Sequence, residues 1–200
     1  MAGIVEKNII FGLGTGRCGT VSLSKLLSSQ EDCAITHELS KFRLPWEKNV
    51  NQFDFIMNSI NSRSQKFIGD VGFYYLPYVE EILKNKNSKI IILKREKQKV
   101  ISSYVKKTTS MNHWNEHDGK HWLFNSWDHC FPKFKTRTKE EAISKYYDHY
   151  YDLCQRISQE NCFWINTEDL NNESVCLEML KWCGFENPRF FIKHENRILT

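Results

Sequence analysis

Short apolar runs alternate with longer segments of helical spacing along most of the chain. The clearest run lies at residues 89–94, where four large apolar residues stand together between two lysines. A run of this kind predicts a strand that is covered on both faces, as in a parallel sheet. The same pattern predicts five strands in all, at residues 8–14, 33–37, 66–71, 89–94 and 161–166.

Apolar residues at helical spacing fill most of the intervals between these strands. Leu23, Leu26 and Leu27, for example, lie on one face of a helix that follows the first strand. Pro77 falls near the start of the third helix, where proline is tolerated. The predicted helices cover residues 21–28, 53–60, 74–83, 98–104, 138–158 and 173–183. Alternating strands and helices predict one α/β domain over residues 1–200, with a mostly parallel sheet between two helical layers.

The composition narrows the class of protein without giving a function. The 200 residues include 28 basic and 24 acidic side chains, and the net charge of +4 is well below that of a typical nucleic-acid binder. No apolar stretch reaches the ~18 residues of a transmembrane helix, and no secretory signal is visible. We therefore expect a cytoplasmic protein with no transmembrane segment and no nucleic-acid partner. The seven cysteines contain no C-x-x-C pair and are expected to be reduced thiols.

Residues 108–135 have no sustained period and are rich in aromatic and polar side chains. A long segment of this kind predicts a lid or a ligand-binding insertion. His113, His117 and His121 are spaced four apart, which would align them as zinc ligands on a helix. Gly119 argues against a firm helix, and no cysteine is placed to complete the ligand set. We therefore expect no metal.

Glycines are concentrated between the first strand and the first helix, in Gly12-Leu-Gly-Thr-Gly-Arg-Cys-Gly-Thr-Val-Ser22. A turn at this place presents backbone N–H groups at a helix N-terminus, which favours an anion. The glycines could also serve backbone geometry alone. Three ligand interpretations compete with that plain turn.

Two of these interpretations are nucleotide fingerprints. Gly14, Gly16 and Gly19 match the dinucleotide motif G-x-G-x-x-G, and Glu38 stands about 20 residues on, where that motif places an acidic residue. Gly14 and Gly19 also match the outer glycines of a nucleoside-triphosphate loop. The Lys-Ser/Thr pair that should follow is absent, which disfavours hydrolysis of ATP or GTP.

The third interpretation is a cradle for a phosphate or sulfate group. Arg17 supplies a bidentate cation, and Thr20 and Ser22 supply hydroxyls close to it. A second cradle is predicted where the strongest strand ends in Arg95. Ser103 stands eight residues later, near the same helical face. Ligands of open α/β sheets bind at the carboxyl ends of the strands, so both cradles fall at one edge.

These two cradles resemble the motifs of the sulfotransferases that use 3′-phosphoadenosine 5′-phosphosulfate (PAPS). Residues 11–27 (FGLGTGRCGTVSLSKLL) resemble the family's 5′-phosphosulfate loop, and residues 90–104 (IIILKREKQKVISSY) resemble its 3′-phosphate motif, in which Arg and Ser stand eight apart. Residues 163–170 and 177–184 resemble its late strand, acidic-Leu turn and following helix. The resemblance implies a three-layer, P-loop nucleotide-kinase-like fold. It also implies transfer of a sulfuryl group from PAPS to a hydroxyl or amine, with release of 3′-phosphoadenosine 5′-phosphate (PAP) and without a metal.

The resemblance further implies which residues contact the cofactor. Arg17 stands where cytosolic members have Lys, as it does in carbohydrate sulfotransferases, and Cys18 stands where Ser is usual. Arg17 is the cation expected at the leaving phosphate, and so it is also assigned a catalytic role. The implied cofactor contacts are Gly14, Thr15, Gly16, Arg17, Cys18, Gly19, Thr20, Val21, Ser22, Arg95 and Ser103.

Asp70 is the first choice for the catalytic base. Residues 69–76 resemble the Glu-Lys-Ser/Thr-Pro-x-Tyr-Phe segment of heparan-type sulfotransferases, with Asp70 and Tyr75 matching it and Val71 departing from its Lys. The competing interpretation is an aspartate that caps the next helix. His37 is the second candidate for the base, because the pKa of histidine suits proton transfer. The alternative, and the more common use, is a histidine that packs in the core or orients substrate.

The acceptor is expected to bind beside the irregular segment. His113 and Trp114 are assigned to a lid over the cofactor or acceptor, and the aromatic residues that follow either line an acceptor pocket or simply pack. Those aromatic residues are Trp122, Phe124, Trp127 and Phe131. The acceptor is a small molecule, a lipid or a carbohydrate. Two hypotheses remain beside the sulfotransferase: an NAD(P)-dependent oxidoreductase that uses the glycine loop and Glu38, and a nucleotide-binding homologue without activity.

Overall fold

Five parallel strands form the central sheet of the protein. The computed structural model describes residues 6–39, 43–108, 111–116, 125 and 127–191. The strands lie in the order β2-β3-β1-β4-β5, and each neighbouring pair is parallel. Their bounds are β1 (Asn8–Leu13), β2 (Cys33–His37), β3 (Phe67–Val71), β4 (Ser88–Lys94) and β5 (Cys162–Asn166). The predicted parallel α/β sheet is confirmed.

The helices follow the predicted order with shifted ends. Their bounds are α1 (Thr20–Ser28), α2 (Val50–Asn61), α3 (Val79–Leu83), α4 (Lys97–Thr108), α5 (Lys139–Cys154) and α6 (Glu173–Trp182). Thr138 caps α5 rather than belonging to it, because its hydroxyl accepts a 3.1 Å bond from the amide of Glu141. The same helix ends at Cys154, four residues before the predicted end. Beyond it, the amides of Arg156 and Ile157 bond to carbonyls three residues back, which tightens the turn and ends the α-helix.

The predicted helix at 74–83 is divided into a 3-10 helix, Phe73–Tyr78, and the short α3. Pro77 has no amide to donate to the carbonyl of Phe73, four residues back, so an α-helical bond is lost there. The hydroxyl of Tyr150, on α5, donates to that carbonyl instead at 3.1 Å. The proline therefore explains the tighter helix, and the carbonyl that it leaves without an α-helical partner is bound by α5.

Both faces of the sheet are buried, as the apolar pattern of β4 predicts. Ile90 and Ile92 face a core formed with α2, α3, α4 and α5, while Ile91 and Leu93 face a second core formed with α1 and α6. The protein is therefore a three-layer sandwich. Among the described residues, no helix combines the length and apolar character needed to cross a membrane. All seven cysteines are free thiols.

Candidate active site

The glycine-rich loop between β1 and α1 has an unusual backbone. Gly16 and Gly19 have φ of 78° and 92°, and Arg17 between them has φ of 56°, which is rare for a residue with a side chain. A Cβ on Gly16 would clash with the hydroxyl oxygen of Tyr104, so a larger residue does not fit there. Glycine is thus required by the curvature of the loop and by the close approach of α4.

Tyrosines from α4 and α5 fix this loop. The hydroxyls of Tyr104 and Tyr146 both donate to the carbonyl of Thr15, and the amide of Gly14 donates to the hydroxyl of Tyr150 at 3.0 Å. All three side chains are buried. These tyrosines hold the loop from below and leave its outer side free for a ligand.

Two further tyrosines of α5 hold the end of β4. Tyr147 donates to the carbonyl of Arg95 at 2.6 Å, and Tyr151 donates to that of Leu93 at 2.8 Å. This role of α5 was not predicted from the sequence. The signal was present, because tyrosines at 146, 147, 150 and 151 form two pairs that are one helical turn apart.

Arg17, Arg95 and Ser103 lie together at the edge formed by the carboxyl ends of the strands. The Nε of Arg17 donates to the Oγ of Ser103 at 2.9 Å, and an Nη of Arg95 donates to the carbonyl of Arg17 at 2.8 Å. The two predicted cradles are therefore in direct contact through Arg17. The sequence predicts two separate cradles at this edge, and the structure brings them closer together than that.

This edge suits an anionic nucleotide. The amides of Thr20, Val21 and Ser22, at the start of the nine-residue α1, donate to no described residue, as is usual for the first turn of a helix. The Nε of Arg95 is buried and makes no hydrogen bond with the described part of the chain. Free amides at a helix N-terminus and an unpartnered N–H of a guanidinium are groups that bind phosphate.

The remaining loop residues contribute in different ways. The side chain of Cys18 is fully buried in the core below the loop, and burial raises the pKa of its thiol to about 11. Cys18 can therefore offer a ligand only its backbone. Thr15 is also buried, with its hydroxyl donating to the carbonyl of Gly16 at 3.1 Å. Val21 lines the neighbouring cavity, while Ser22 lies half-buried in the first turn of α1.

His37 and Glu38 lie at the end of β2, across from α1. The Nε2 of His37 is 3.0 Å from the hydroxyl of Thr20, and burial lowers the pKa of this imidazole. Glu38 has a φ of 47°. Burial and the nearby charge of Asp70 raise the pKa of Glu38 to about 7. A carboxylate with that pKa is able to accept a proton near neutral pH.

Asp70 lies beneath the site rather than in it. Its carboxylate accepts hydrogen bonds from the hydroxyls of Thr36 and Tyr75, both at 2.7 Å, and from the amide of Leu39 at 2.9 Å. The side chain is completely buried and does not line the cavity. Burial raises its pKa, against the effect of these three bonds. The geometry gives Asp70 a role in holding the chain at Glu38, and it does not cap the following helix.

A cavity of about 360 Å³ opens beside the loop. Gly16, Arg17, Thr20, His37 and Glu38 form its polar end. The irregular segment contributes the opposite wall, and both residues assigned to the lid, His113 and Trp114, line it. The other described lining residues are Val21, Phe73, Tyr104, Lys107, Thr108, Met111, Asn125, Trp127 and Phe131.

The two residues that the sequence assigns to a lid are held by bonds of their own. The Nδ1 of His113 is 3.3 Å from a carboxylate oxygen of Asp128, and Lys133 makes a 2.9 Å ion pair with that carboxylate. Burial lowers the pKa of His113 although Asp128 opposes it. Trp114 is fully buried and its carbonyl accepts a 2.8 Å bond from the amide of Phe134. Trp127 and Phe131 line the cavity as well, while Trp122 and Phe124 lie outside the described residues.

The zinc hypothesis gains no support. In residues 6–39, 43–108, 111–116, 125 and 127–191 there is no group of three or more His, Cys, Asp or Glu residues that could hold a metal ion. His117 and His121 lie outside those ranges.

Comparison with known proteins identifies the fold. No family model matches the chain, and no curated protein is similar to it at a significant level. Among solved structures, a sulfotransferase from Alicyclobacillus acidocaldarius aligns with 96% of the chain and 87% of its own length, at 15% identity and a TM-score of 0.57. The mouse sulfotransferase SULT7A1 complexed with PAP aligns with 91% of the chain and 61% of its own length, at 14% identity and a TM-score of 0.53.

A third structure widens the range of ligands bound on this fold. The YorR protein of Bacillus subtilis, in complex with phosphorylated GDP, aligns with 90% of the chain and 97% of its own length, at 12% identity and a TM-score of 0.55. At these identities the similarity establishes the fold alone.

The strand order argues against the dinucleotide hypothesis. In the dinucleotide-binding fold β2 lies beside β1, so that an acidic residue at the end of β2 meets the ribose bound at the first loop. Here β3 lies between β1 and β2. Glu38 is therefore one strand further from the glycine loop than that fingerprint requires.

Proposed function

Because the chain has the fold of the sulfotransferases, we propose that it transfers a sulfuryl group from PAPS to the hydroxyl or amine of an acceptor and releases PAP. The contact of Arg17 with both Ser103 and Arg95 supports this proposal most strongly. It brings two cationic side chains, a hydroxyl and a helix N-terminus to one edge, next to a cavity of acceptor size. That arrangement suits a ligand with two separate phosphate groups.

The residues of the site divide between the two phosphate positions. The loop amides, with Arg17, bind the 5′-phosphosulfate, and Arg95 with Ser103 binds the 3′-phosphate. Arg17 reaches Ser103, so binding at one position orders the other. The loop is already held in its curved form by Tyr146 and Tyr150, which reduces the entropy lost on binding.

The chemistry needs a proton acceptor and a cation, both of which the site provides. PAPS supplies the sulfuryl group: an S–O bond to the acceptor oxygen forms, the S–O bond to the 5′-phosphate breaks, and the acceptor proton passes to a base. Arg17 and the N-terminus of α1 balance the charge that develops on the leaving phosphate. The cavity walls hold the acceptor in line with the broken bond.

We assign the base to Glu38 rather than to Asp70. Glu38 lines the cavity and has a pKa of about 7, whereas Asp70 is fully buried and its carboxylate is already bound by three donors. His37 is held by Thr20 and is placed to orient the acceptor beside Glu38. Asp70 acts through Glu38, as a positioning residue.

A thermal-shift assay with nucleotides tests the donor site. PAP should stabilise the protein, by about 2.7 kcal/mol at a concentration 100 times its dissociation constant. NAD(H), ATP and phosphorylated GDP are the comparison ligands. Stabilisation by one of these and not by PAP would contradict the proposal. Binding of PAP without transfer to any acceptor in a broad screen with labelled PAPS would support the inactive homologue.

A further inference from the structure

Packed aromatic rings line part of the cavity beside the loop. Phe131 stacks on Phe73 with ring centroids 4.6 Å apart, and Phe73 stacks on Trp127 at 5.9 Å. Trp114 packs against Phe131 at 4.8 Å. These rings form a wall that suits a flat, apolar molecular body.

The charged groups of the cavity lie at two places. Glu38, His37 and Arg17 stand at the loop end, where the transferred group must be. Lys107 also lines the cavity, on α4, one helical turn beyond Ser103. Among the described lining residues it is the cation that the donor site does not use.

Lys107, in the last turn of α4, differs in its ion pairing from the lysines at the start of that helix. Lys97 pairs with Asp148 at 2.7 Å, and Lys99 pairs with Glu96 and Glu168. Lys107 makes no ion pair with a described residue, and it is exposed toward the cavity.

The surroundings of Lys107 are also basic. Lys139 donates to the hydroxyl of Thr108 at 3.1 Å, next to Lys107 in the chain. Asp128, the acidic residue behind His113, is already paired with Lys133. The described part of this end therefore favours a negative charge on whatever enters it.

Building on the proposed function, we propose that the acceptor is an apolar, ring-bearing hydroxyl compound that carries an anionic group, and that Lys107 binds this group. The hydroxyl then lies at Glu38, the ring lies against Phe131 and Trp127, and the anion lies at Lys107. Lys107 is a specificity-determining residue that takes no part in the transfer itself.

Three phenols of similar shape test this proposal: 3-(4-hydroxyphenyl)propionate, 4-propylphenol and tyramine, which are anionic, neutral and cationic at the far end. We expect kcat/KM to be highest for the propionate. Lys107→Gln should lower kcat/KM for the propionate about tenfold, the loss of one charge-assisted contact, and leave the value for 4-propylphenol within about twofold. Lys107→Arg should keep the preference for the propionate.

Lys106→Gln is the matched control, since Lys106 is exposed on the same helical turn and does not line the cavity. It should behave as the unmodified protein. Equal values for the three phenols, or a parallel loss for all three in Lys107→Gln, would overturn the role of Lys107. So would weaker binding of PAP to that variant, because Lys107 would then contact the donor.

PAP binding and transfer to the phenols, measured separately, distinguish a wrong acceptor class from a wrong donor. Binding of PAP without transfer to any of the three phenols would overturn the acceptor class and leave the donor site intact. Absence of PAP binding to the unmodified protein would overturn the proposed function itself.

Discussion

Arg95 donates a 2.8 Å hydrogen bond to the main-chain carbonyl of Arg17, so the end of β4 supports the loop that follows β1. The bond joins the segments that follow the neighbouring strands β1 and β4, at the carboxyl ends of both strands. It joins the two anion cradles that the proposed donor would bridge. A change at Arg95 should therefore act on the whole donor site.

Arg95→Ala should weaken PAP binding by about 10- to 100-fold, because a charge-assisted contact is lost. Isothermal titration with PAP and with 5′-AMP measures the effect, since AMP has no 3′-phosphate. The variant should lose the preference for PAP over AMP. Arg156→Ala, at an exposed arginine beyond α5, is the control and should keep it. Equal affinity for PAP in the Arg95 variant and the unmodified protein would mean that the second cradle is wrongly assigned.

Ser103→Ala should weaken PAP binding by about three- to tenfold, the effect of one hydrogen bond. Ser103 contacts Arg17, whereas its neighbour Ser102 is exposed on the same helix. Ser102→Ala is therefore the matched control and should leave the affinity unchanged. The same loss in both variants would point to α4 as a whole and not to the hydroxyl of Ser103.

The loop tyrosines should link stability to donor binding. Tyr150→Phe removes hydrogen bonds to Gly14 and Phe73 and should cost about 1–3 kcal/mol of unfolding free energy. It should also weaken PAP binding. Tyr78→Phe is the control, because its hydroxyl likewise accepts from one amide, that of Asn49, and donates to one carbonyl, that of Pro45. A similar loss of stability with unchanged PAP affinity is expected there. Weaker PAP binding in both variants would show that general destabilisation is the cause.

Glu38 should set the acid side of the pH–rate profile. Glu38 must be ionised to accept a proton, and its pKa is about 7, so the rate should fall as the pH drops below about 7. Glu38→Gln should lower kcat about 100-fold or more and remove this dependence, while PAP still binds. Asp70→Asn should move the acid side to lower pH, because a neighbouring negative charge that raises the pKa of Glu38 is removed. A profile unchanged by Asp70→Asn would exclude Asp70 as a positioning residue.

Glu38 should also make the unfolding free energy depend on pH. Its contribution to stability should fall as the pH rises, whereas the rate should increase. The pKa of Glu38 is about 7 in the folded chain and 4.5 as its ordinary value, so folding binds a proton between those values. Stability contributed by this group therefore falls as the pH rises from about 4.5 to about 7. Glu38→Gln should raise the unfolding free energy at pH 8 by about 1–3 kcal/mol, and have little effect at pH 4.5, as measured by urea unfolding. A destabilised variant at pH 8 would contradict this assignment.

The sequence predicts the strands well because each is a compact apolar run with polar ends. β2 occurs at the predicted residues, and β4 begins one residue early. The same periodicity cannot show the strand order, so the sequence offers Glu38 only as the acidic residue of a rival dinucleotide motif, and the family resemblance offers Asp70 as the base. Only the placement of β3 between β1 and β2 shows that Asp70 lies under Glu38.

The contacts of α5 show a second reason why part of the site could not be predicted from the sequence. The fixation of the loop by Tyr146 and Tyr150 joins residues more than 130 positions apart, and local spacing carries no information on such pairs. The contact between Arg17 and Arg95 is of the same kind. Their residue types nevertheless pointed to anion binding, because guanidinium groups at a glycine-rich turn have few other uses.

A crystal structure of the protein with PAP is the most direct test of the proposed sulfuryl transfer. We expect the 5′-phosphate within hydrogen-bond distance of Arg17 and the amides of the glycine-rich loop. We also expect the 3′-phosphate on Arg95 and Ser103, and the cavity at Glu38 open toward the 5′-phosphate. PAP bound elsewhere, or bound with its 3′-phosphate away from Arg95 and Ser103, would contradict the proposed donor site.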